Sequence, residues 1–270
     1  MKKIIALILT LVLALGALAS CGTDYSKLEI VDLGLERENF GIAFREGSDM
    51  TRKVEDITLQ LIREGLFAEL SVKYEVGAIT ESEYVPAADA CTSSTDWDYI
   101  RSQGTLVVGI TNYEPMDYLN DKGEWIGFDA DYARAVGQKL GVTVIFKEID
   151  WGKKTMSLQA KEIDCVWNGM TITDEILGAA DCTIPYMYNT QVAVVKKGNA
   201  SNYSDLASLA GLTIAVEDGS AGETVARSNS SVAPGVKEVG GQTDALLEVL
   251  SGASDAAIVD MLIARALIRK

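Results

Sequence analysis

Short apolar runs alternate with helix-like segments along most of the chain. The run GTLVVGI (104–110) is rich in β-branched residues and is typical of a buried strand. The segment at 128–141 places Phe128, Val136 and Leu140 on one helical face and ends at a glycine, which indicates a helix. The alternation continues through VTVIFKEI, IDCVWNGM, LTIAVEDGSAGETVARS and QTDALLEVLSGASDAAIVD, which predict further strands and helices.

This alternation predicts an α/β protein whose sheet is largely parallel and is covered by helices on both faces. In open sheets of this kind, ligands bind at the carboxyl ends of the strands. The segments NGMT (168–171) and GSAG (219–222) both follow predicted strands. We therefore expect both segments to lie at a ligand site.

Composition excludes several classes of function. The chain has 270 residues, of which 48% are hydrophobic and 23% are charged, as in ordinary folded proteins. It contains no histidine, which excludes Ser-His and Cys-His catalysis and most zinc chemistry. The net charge of −15 argues against a nucleic-acid partner. We expect neither a cofactor nor a metal ion.

Residues 1–20 have the features of a bacterial signal peptide. Lys2 and Lys3 precede a mostly apolar run at 4–19, which is short for a membrane span. The sequence LASC that follows resembles the lipobox of bacterial lipoproteins. This resemblance implies that Cys21 receives lipid and anchors the protein to the outer face of the cell membrane. The alternative is an ordinary signal peptide with an incidental cysteine.

Three further cysteines lie at positions 91, 165 and 182. An exported protein can form disulfides, so Cys165 and Cys182 can pair and leave Cys91 in a polar stretch. Two buried free thiols are the alternative. Sequence does not determine the distance between the two residues, so both alternatives stay open.

From residue 96 onwards, the chain carries a series of motifs in a fixed order. The segment 104–137 combines a strand, an aromatic loop, a hairpin and a helix. It is followed by IDCVWNGMTITDE, CTIPYMYNTQVAVVKKG, LTIAVEDGSAGE and DAAIVDMLIARALI. In order and spacing these motifs resemble the amino-acid-binding members of the solute-binding proteins of ABC importers. The resemblance implies an α/β, two-lobed, periplasmic-binding-protein-like type II fold with the ligand cleft between the lobes.

Elements that close this fold in the family lie near the start of this chain. KLEIVDLG (27–34) resembles the last strand of the second lobe, and ENFGIAF (38–44) resembles the returning hinge strand. The helical segments 48–65 and 66–74 resemble the closing helix pair. We therefore predict a circular permutation, which the surface position of domain termini permits. The alternative is a fragment of a fused or tandem protein.

The permutation predicts two lobes that are built from discontinuous segments. Lobe 1 comprises residues 41–84 and 96–191, and lobe 2 comprises residues 24–39 and 192–270. The polar stretch 77–96 contains a proline and a Ser/Thr run, has linker composition and is expected to be exposed. The strands ENFGIAF and YNTQVAV are expected to form the hinge about which the lobes close.

The resemblance assigns ligand contacts to residues at the ends of three strands. Asp260 corresponds to the aspartate that pairs with the α-ammonium of the ligand, although it can instead cap a helix. Gly169 and Thr171 correspond to a loop that holds both backbone groups of the ligand, or form a plain tight turn. Ser220 and Ala221 open a helix whose free amides bind anions, or form a strand-to-helix turn without a ligand.

Three further residues are assigned to the side-chain pocket. Tyr113 and Trp151 correspond to aromatic residues that wall this pocket in the family, although either can simply belong to the core. Glu217 lies where relatives often carry a residue that reaches the ligand side chain. Its alternative role is a solvated charge at the end of a strand.

One position departs from the family pattern. Relatives carry an arginine that grips the α-carboxylate, and this chain has Ile176 in its place within TITDEILGAAD. A guanidinium binds a carboxylate through two parallel hydrogen bonds, so its loss removes the main contact with the α-carboxylate. Three alternatives then remain for the site. The ligand lacks the carboxylate, another arginine substitutes, or binding is weak. With Glu217 nearby the site is short of positive charge, which favours a cationic or amine ligand.

Together these features predict a monomeric solute-binding lipoprotein. It would capture a small polar solute, an amino acid or a related amine, and deliver it to the permease of an ABC importer. A ligand-sensing lipoprotein that signals to a membrane partner is the alternative. Some dehydratases resemble the family, but we do not expect an enzyme, because the chain has no histidine to act as general acid or base and lacks the arginine.

Overall fold

Two mixed β-sheets organise residues 23–85 and 95–269, which this computed structural model describes. The predicted signal peptide, the predicted lipidation residue Cys21 and also Cys91 lie outside the described residues. In chain order the strands are β1 (Leu28–Val31), β2 (Glu38–Phe44), β3 (Thr105–Ile110), β4 (Tyr118–Leu119), β5 (Trp125–Ile126), β6 (Thr143–Glu148), β7 (Cys165–Thr171), β8 (Asp181–Cys182), β9 (Met187–Asn189), β10 (Gln191–Lys196), β11 (Ile214–Glu217), β12 (Val236–Val239) and β13 (Ala256–Asp260).

Six of the described helices occupy segments predicted from the sequence, whereas the helices Asp96–Gln103, Lys154–Gln159 and Asp174–Leu177 were not predicted. Two of the predicted ends are confirmed, because Gly65 and Gly141 both adopt the left-handed conformation beside a helix. None of the described helices is both long and apolar enough to cross a membrane. In chain order the helices are α1 (Met50–Arg63), α2 (Leu66–Tyr74), α3 (Asp96–Gln103), α4 (Phe128–Leu140), α5 (Lys154–Gln159), α6 (Asp174–Leu177), α7 (Ala221–Ser228), α8 (Gln242–Ser251) and α9 (Met261–Ile268).

Each sheet forms the centre of one lobe. The sheet of lobe 1 has the strand order β6-β3-β7-β2-β8, with β9 also paired to β2. The sheet of lobe 2 has the order β1-β10-β13-β11-β12. The prediction of largely parallel strands is wrong here, because β2 and β10 run antiparallel to their neighbours. Each of these strands enters its sheet from the other lobe rather than after a helix on the same sheet.

The chain passes between the two sheets at two adjacent places. Residues 32–37 connect β1 in lobe 2 with β2 in lobe 1, and Thr190 alone separates β9 from β10. The Thr190 hydroxyl donates to the carbonyl oxygens of Leu35 and Glu36, both at 3.4 Å. The two connections therefore lie side by side, as expected for a double-stranded hinge.

The segments that precede residue 77 are integral parts of both lobes. β1 pairs antiparallel with β10, so residues 28–31 lie in the sheet of lobe 2. Helices α1 and α2 pack against α4 of lobe 1. There the ring of Phe67 meets the rings of Phe128 and Tyr132 edge-on, with centroids 5.6 and 4.9 Å apart.

The segment 77–96 is not the fully exposed linker that its composition predicts. In its described part, Ile79 and Tyr84 are only 4% and 2% exposed. The amide of Ile79 donates to the carbonyl of Tyr186 at 3.1 Å, which fixes the segment to lobe 1. These two apolar side chains anchor a stretch whose other described residues are mostly exposed. Residues 86–94 lie outside the described part of the chain.

Cys165 and Cys182 are free thiols. Cys165 lies opposite Phe44 and Cys182 lies opposite Ala43, so β2 runs between the two cysteine-bearing strands. Neighbouring strands lie about 4.8 Å apart, which separates these cysteines by roughly 10 Å. A disulfide requires a Cα separation below about 7 Å. Of the two alternatives, the structure therefore supports unpaired thiols.

Candidate ligand-binding cleft

A cleft lies between the two lobes, at the carboxyl ends of β7, β11 and β13. The eight residues predicted from the sequence all line it: Tyr113, Trp151, Gly169, Thr171, Glu217, Ser220, Ala221 and Asp260. Further lining residues are Thr111, Asn112, Lys154, Asn168, Met170, Thr173, Glu175, Ile176, Gly219, Thr224 and Gln242. The fold therefore brings every residue that the resemblance singled out to one place.

Asp260 ends β13 inside the cleft and is only 4% exposed. One carboxylate oxygen accepts hydrogen bonds from the side-chain amides of Asn189 and Gln191, and the other accepts from Gln242. Burial, followed by the charge of Glu38, raises the pKa of Asp260 to about 7. Asp260 precedes α9 but makes no side-chain capping bond, so the helix-cap alternative is wrong. These amides orient the carboxylate toward the cleft.

Glu38 is a charged neighbour of Asp260 that the sequence did not reveal. It begins β2, and its Oε2 accepts from Thr171, Asn189 and Gln191 at 3.2, 3.3 and 2.9 Å. Asn189 and Gln191 also donate to Asp260, so Glu38 in lobe 1 and Asp260 in lobe 2 share two donors across the hinge. The hydroxyl of Thr171 is already engaged by Glu38.

Glu217 ends β11 in the cleft with 4% of its surface exposed, so it is not a solvated strand-end charge. Burial, followed by repulsion from Asp260, raises the pKa of Glu217 to about 8. The positive charge of Lys154 acts in the opposite direction. Burial and the neighbouring carboxylate therefore favour the neutral form of this group in the absence of a ligand.

Lys154 is a second residue that the sequence did not reveal. Its Nζ donates to the carbonyls of Gly219 at 2.8 Å and Trp151 at 3.3 Å, and lies 4.8 Å from the centroid of the Trp151 ring. Lys153 and Lys154 are adjacent in a polar segment, and no sequence signal distinguishes which one turns inward. The backbones also approach here, because a Cβ built on Gly219 would lie 2.8 Å from the Cα of Gly152.

Gly169 shapes the floor of the cleft. Its φ of +56° and the space around it both require glycine, because a Cβ would lie 2.6 Å from the ring of Tyr113. Its amide donates to Asp129 at 2.7 Å, and the hydroxyl of Tyr186 donates to the same oxygen at 2.8 Å. The Gly169 amide is therefore committed to the protein and is not available to a ligand.

Ser220 and Ala221 form the beginning of α7. The Ser220 hydroxyl accepts from the amide of Glu223 at 3.1 Å, so it caps the helix and is not free. Within the described residues, the amides of Ala221 and Gly222 have no acceptor. The helix start therefore supplies donors to the cleft through its backbone rather than through the serine side chain.

The two predicted aromatic residues both line the cleft and are buried in the protein. Tyr113 and Trp151 line the cleft but are only 3% and 8% exposed. Trp151 belongs to a small apolar cluster of lobe 1 with Met170 and Ile176. Ile176, which replaces the arginine expected from the family pattern, also lines the cleft. The wall at this position is therefore apolar.

Comparison with known proteins identifies binding proteins as relatives. Over 172 residues the chain is 31% identical to the L-cystine-binding protein TcyJ of Escherichia coli (strain K12), covering 63% of this chain and 64% of that protein. The arginine-bound form of truncated ArgBP from T. maritima has 32% identity and a TM-score of 0.61, covering 64% of this chain and 81% of that one. The cyclohexadienyl dehydratase of Pseudomonas aeruginosa is 24% identical over 59% of this chain and 60% of its own length.

This chain thus spans just under two thirds of the length of the cystine-binding relative. A family model matches residues 106–264, which is more than half of the chain. The family is that of the bacterial extracellular solute-binding proteins, family 3, which implies a location outside the cytoplasm. The chain belongs to this family of extracellular solute-binding proteins.

Proposed function

We propose that this protein captures an amino acid or a related amine between its lobes and delivers it to an ABC importer. The observation that carries the proposal is a cleft with two buried carboxyl groups, Asp260 and Glu217, and one buried ammonium, Lys154. Relatives that are named as cystine-binding and arginine-bound support a ligand of this class.

The carboxyl groups explain why the ligand carries an ammonium. Removing a carboxylate from water is costly unless a cation or hydrogen-bond donors replace the water. Asp260 already accepts three amide bonds that orient it, and an ammonium in the cleft would supply the missing positive charge. Because the hinge lies beside Asp260, closure of the lobes would exclude water from this contact.

A binding experiment tests this proposal. The full chain without its signal peptide is screened by thermal shift, and hits are titrated by calorimetry, against amino acids and the amines derived from them. A ligand that binds the folded state raises the unfolding temperature by mass action. We expect at least one amine-bearing ligand to bind. Binding of none of them, or binding of carboxylic acids that lack an amine, would refute the proposal.

We further propose that Cys21 carries lipid and that the protein presents its ligand as a monomer to a membrane permease. The sequence LASC and membership of an extracellular family support this arrangement. Mass spectrometry of the protein expressed in a bacterium would detect the acyl chains. Cys21→Ala is expected to release the protein from the membrane fraction, and retention of this variant would contradict the anchor.

Binding rather than catalysis is proposed for the cleft. The family and the more similar relatives are binding proteins, and the dehydratase is a distant relative at 24% identity. Two of the acidic residues that could transfer protons, Glu217 and Asp260, are the groups that an ammonium ligand would occupy. Recovery of every bound ligand unchanged, by mass spectrometry after incubation, is the expected result.

The chain order is proposed to be circularly permuted. The family model begins at residue 106, yet β1 and β2, which precede it, complete both sheets, and α9 packs against β1. A rearranged chain with residues 23–76 placed after residue 269 tests the idea. We expect it to fold and to bind the same ligand with an affinity within about threefold of the parent. A rearranged chain that is unfolded under the same conditions would contradict the permutation.

A further inference from the structure

One basic side chain of the described part of the chain reaches the cleft. Among the described residues that line it, Lys154 is the only lysine or arginine, whereas Glu175, Glu217 and Asp260 are acidic. The adjacent Lys153 differs, because its side chain is 64% exposed and forms an ion pair with Asp150. The two consecutive lysines therefore supply one surface cation and one cleft cation.

The protein positions the ammonium of Lys154, which has no anionic partner in direct contact among the described residues. Its two acceptors are the carbonyl oxygens of Gly219 and Trp151, and an ammonium carries three N–H donors. Within the described residues it forms no ion pair, although it is only 8% exposed. Burial lowers the pKa of Lys154, which reflects the cost of a cation in this environment.

Other anion-binding groups lie next to this ammonium. Gly219, which it contacts, immediately precedes Ser220 and the start of α7. The amides of Ala221 and Gly222 have no acceptor among the described residues, and Ala221 lines the cleft. A carboxylate placed here would meet a cation and backbone donors together, which is the arrangement that favours a bound anion.

We propose that Lys154 binds the carboxylate of the ligand and determines that the cleft selects an amino acid over the corresponding amine. This inference rests on the proposed function and deepens it. The proposal also replaces the expectation of an amine ligand that the isoleucine at position 176 suggested. The positive charge that binds the carboxylate comes from Lys154 in α5 rather than from an arginine in α6. Since Lys154 belongs to lobe 1 and Gly219 to lobe 2, the bound carboxylate would join the two lobes.

Matched pairs of ligands test the role of Lys154. L-arginine with agmatine, L-lysine with cadaverine and L-ornithine with putrescine differ within each pair only by the carboxylate. Calorimetric titration of the parent, Lys154→Met, Lys154→Arg and the control Lys153→Met measures the preference within each pair. Removal of one partner of a charged hydrogen bond typically weakens binding by about tenfold or more.

The parent and Lys153→Met are expected to bind at least one amino acid at least tenfold more tightly than its amine. Lys154→Met is expected to lose this preference through weaker binding of the amino acid alone, and Lys154→Arg is expected to keep it. A parent that prefers the amines, or a Lys154→Met variant that keeps the preference, would overturn the inference. Equal weakening of both members of a pair would also overturn it, since that indicates a structural role.

Two further outcomes are distinguishable. A parent protein that binds no member of the pairs and no other amine refutes the proposed function, and the inference falls with it. If Lys154→Met does not fold, Lys154→Gln replaces it, because glutamine keeps a donor and removes the charge. The same loss of preference is expected from Lys154→Gln, and its absence would count against the inference.

Discussion

Two pairs of buried carboxyl groups, one in each lobe, are similar in burial and differ in their surroundings. In lobe 1, Asp117 and Asp129 are completely buried, and burial raises the pKa of Asp129 to about 7. In lobe 2, burial raises the pKa of Glu217 to about 8 and that of Asp260 to about 7. The second pair lines the cleft and the first does not.

The difference shows that a raised pKa reports burial and does not by itself identify a binding site. Asp129 accepts from Gly169 and Tyr186, so its oxygen connects three segments of lobe 1. Asp260 accepts from amides that leave it directed at a cleft, with a cation in the same cleft. Asp129 therefore holds segments of lobe 1 together, whereas the second pair is available to a ligand.

Asp260→Asn should have the largest effect on binding. Truncation of one partner of a buried charge pair costs about 2–5 kcal/mol, which corresponds to a loss of affinity of about 30-fold or more. Titration of the variant with the ligand of the parent protein measures it. The control is Asp121→Asn, since Asp121 is exposed in the turn between β4 and β5. If the affinity of Asp260→Asn stays within threefold of that of the parent, Asp260 does not contact the ligand.

Asp129→Leu should lower the free energy of unfolding more than Asp260→Asn does. The change leaves the Gly169 amide and the Tyr186 hydroxyl without their acceptor, at a cost of about 1–3 kcal/mol for each buried group. Urea unfolding should therefore show a loss of at least about 2 kcal/mol. Asp260→Asn should lose less stability than this, and the opposite ranking would contradict the assignment of the two pairs.

Ile176→Arg should tighten the binding of ordinary α-amino acids by about tenfold. A hydrogen bond to a charged group contributes about 1.5–3 kcal/mol, and the loss of isoleucine from the cluster with Trp151 offsets part of it. The amines that lack a carboxylate should gain nothing, and a cationic one should bind more weakly. Calorimetry with the same ligand pairs measures both effects. No gain for any amino acid would mean that residue 176 does not face the bound ligand.

The smallest expected effect on affinity is a pH dependence, and stability should depend on pH with the opposite sign. An ammonium binds ionised carboxylates, so affinity should fall severalfold as pH decreases from 8 to 6, through the raised pKa values of Glu217 and Asp260. Without ligand these groups hold protons that the unfolded chain releases near pH 4, so stability should decrease as pH rises from about 4 to 8. Glu217→Gln should flatten both slopes, and unchanged slopes would contradict the assigned pKa.

Local patterns in the sequence predicted many of the strands and helices, and the family resemblance supplied the eight lining residues. It did not reveal Lys154 or Glu38, because their roles depend on long-range contacts with Gly219 and Thr171, which lie 65 and 133 positions further along the chain. Average polarity also hid the two buried side chains, Ile79 and Tyr84, in the described part of the segment 77–96. Strand direction was missed because it depends on which lobe the chain comes from.

Gly152 and Gly219 allow the backbones of the two lobes to approach each other closely. A methyl group on Gly219 would lie 2.8 Å from the Cα of Gly152, and Gly219 adopts a φ of +67° that glycine accommodates best. At this point the backbones of the two lobes approach each other directly. A side chain introduced at position 219 would therefore keep the lobes further apart, whichever residues line the cleft.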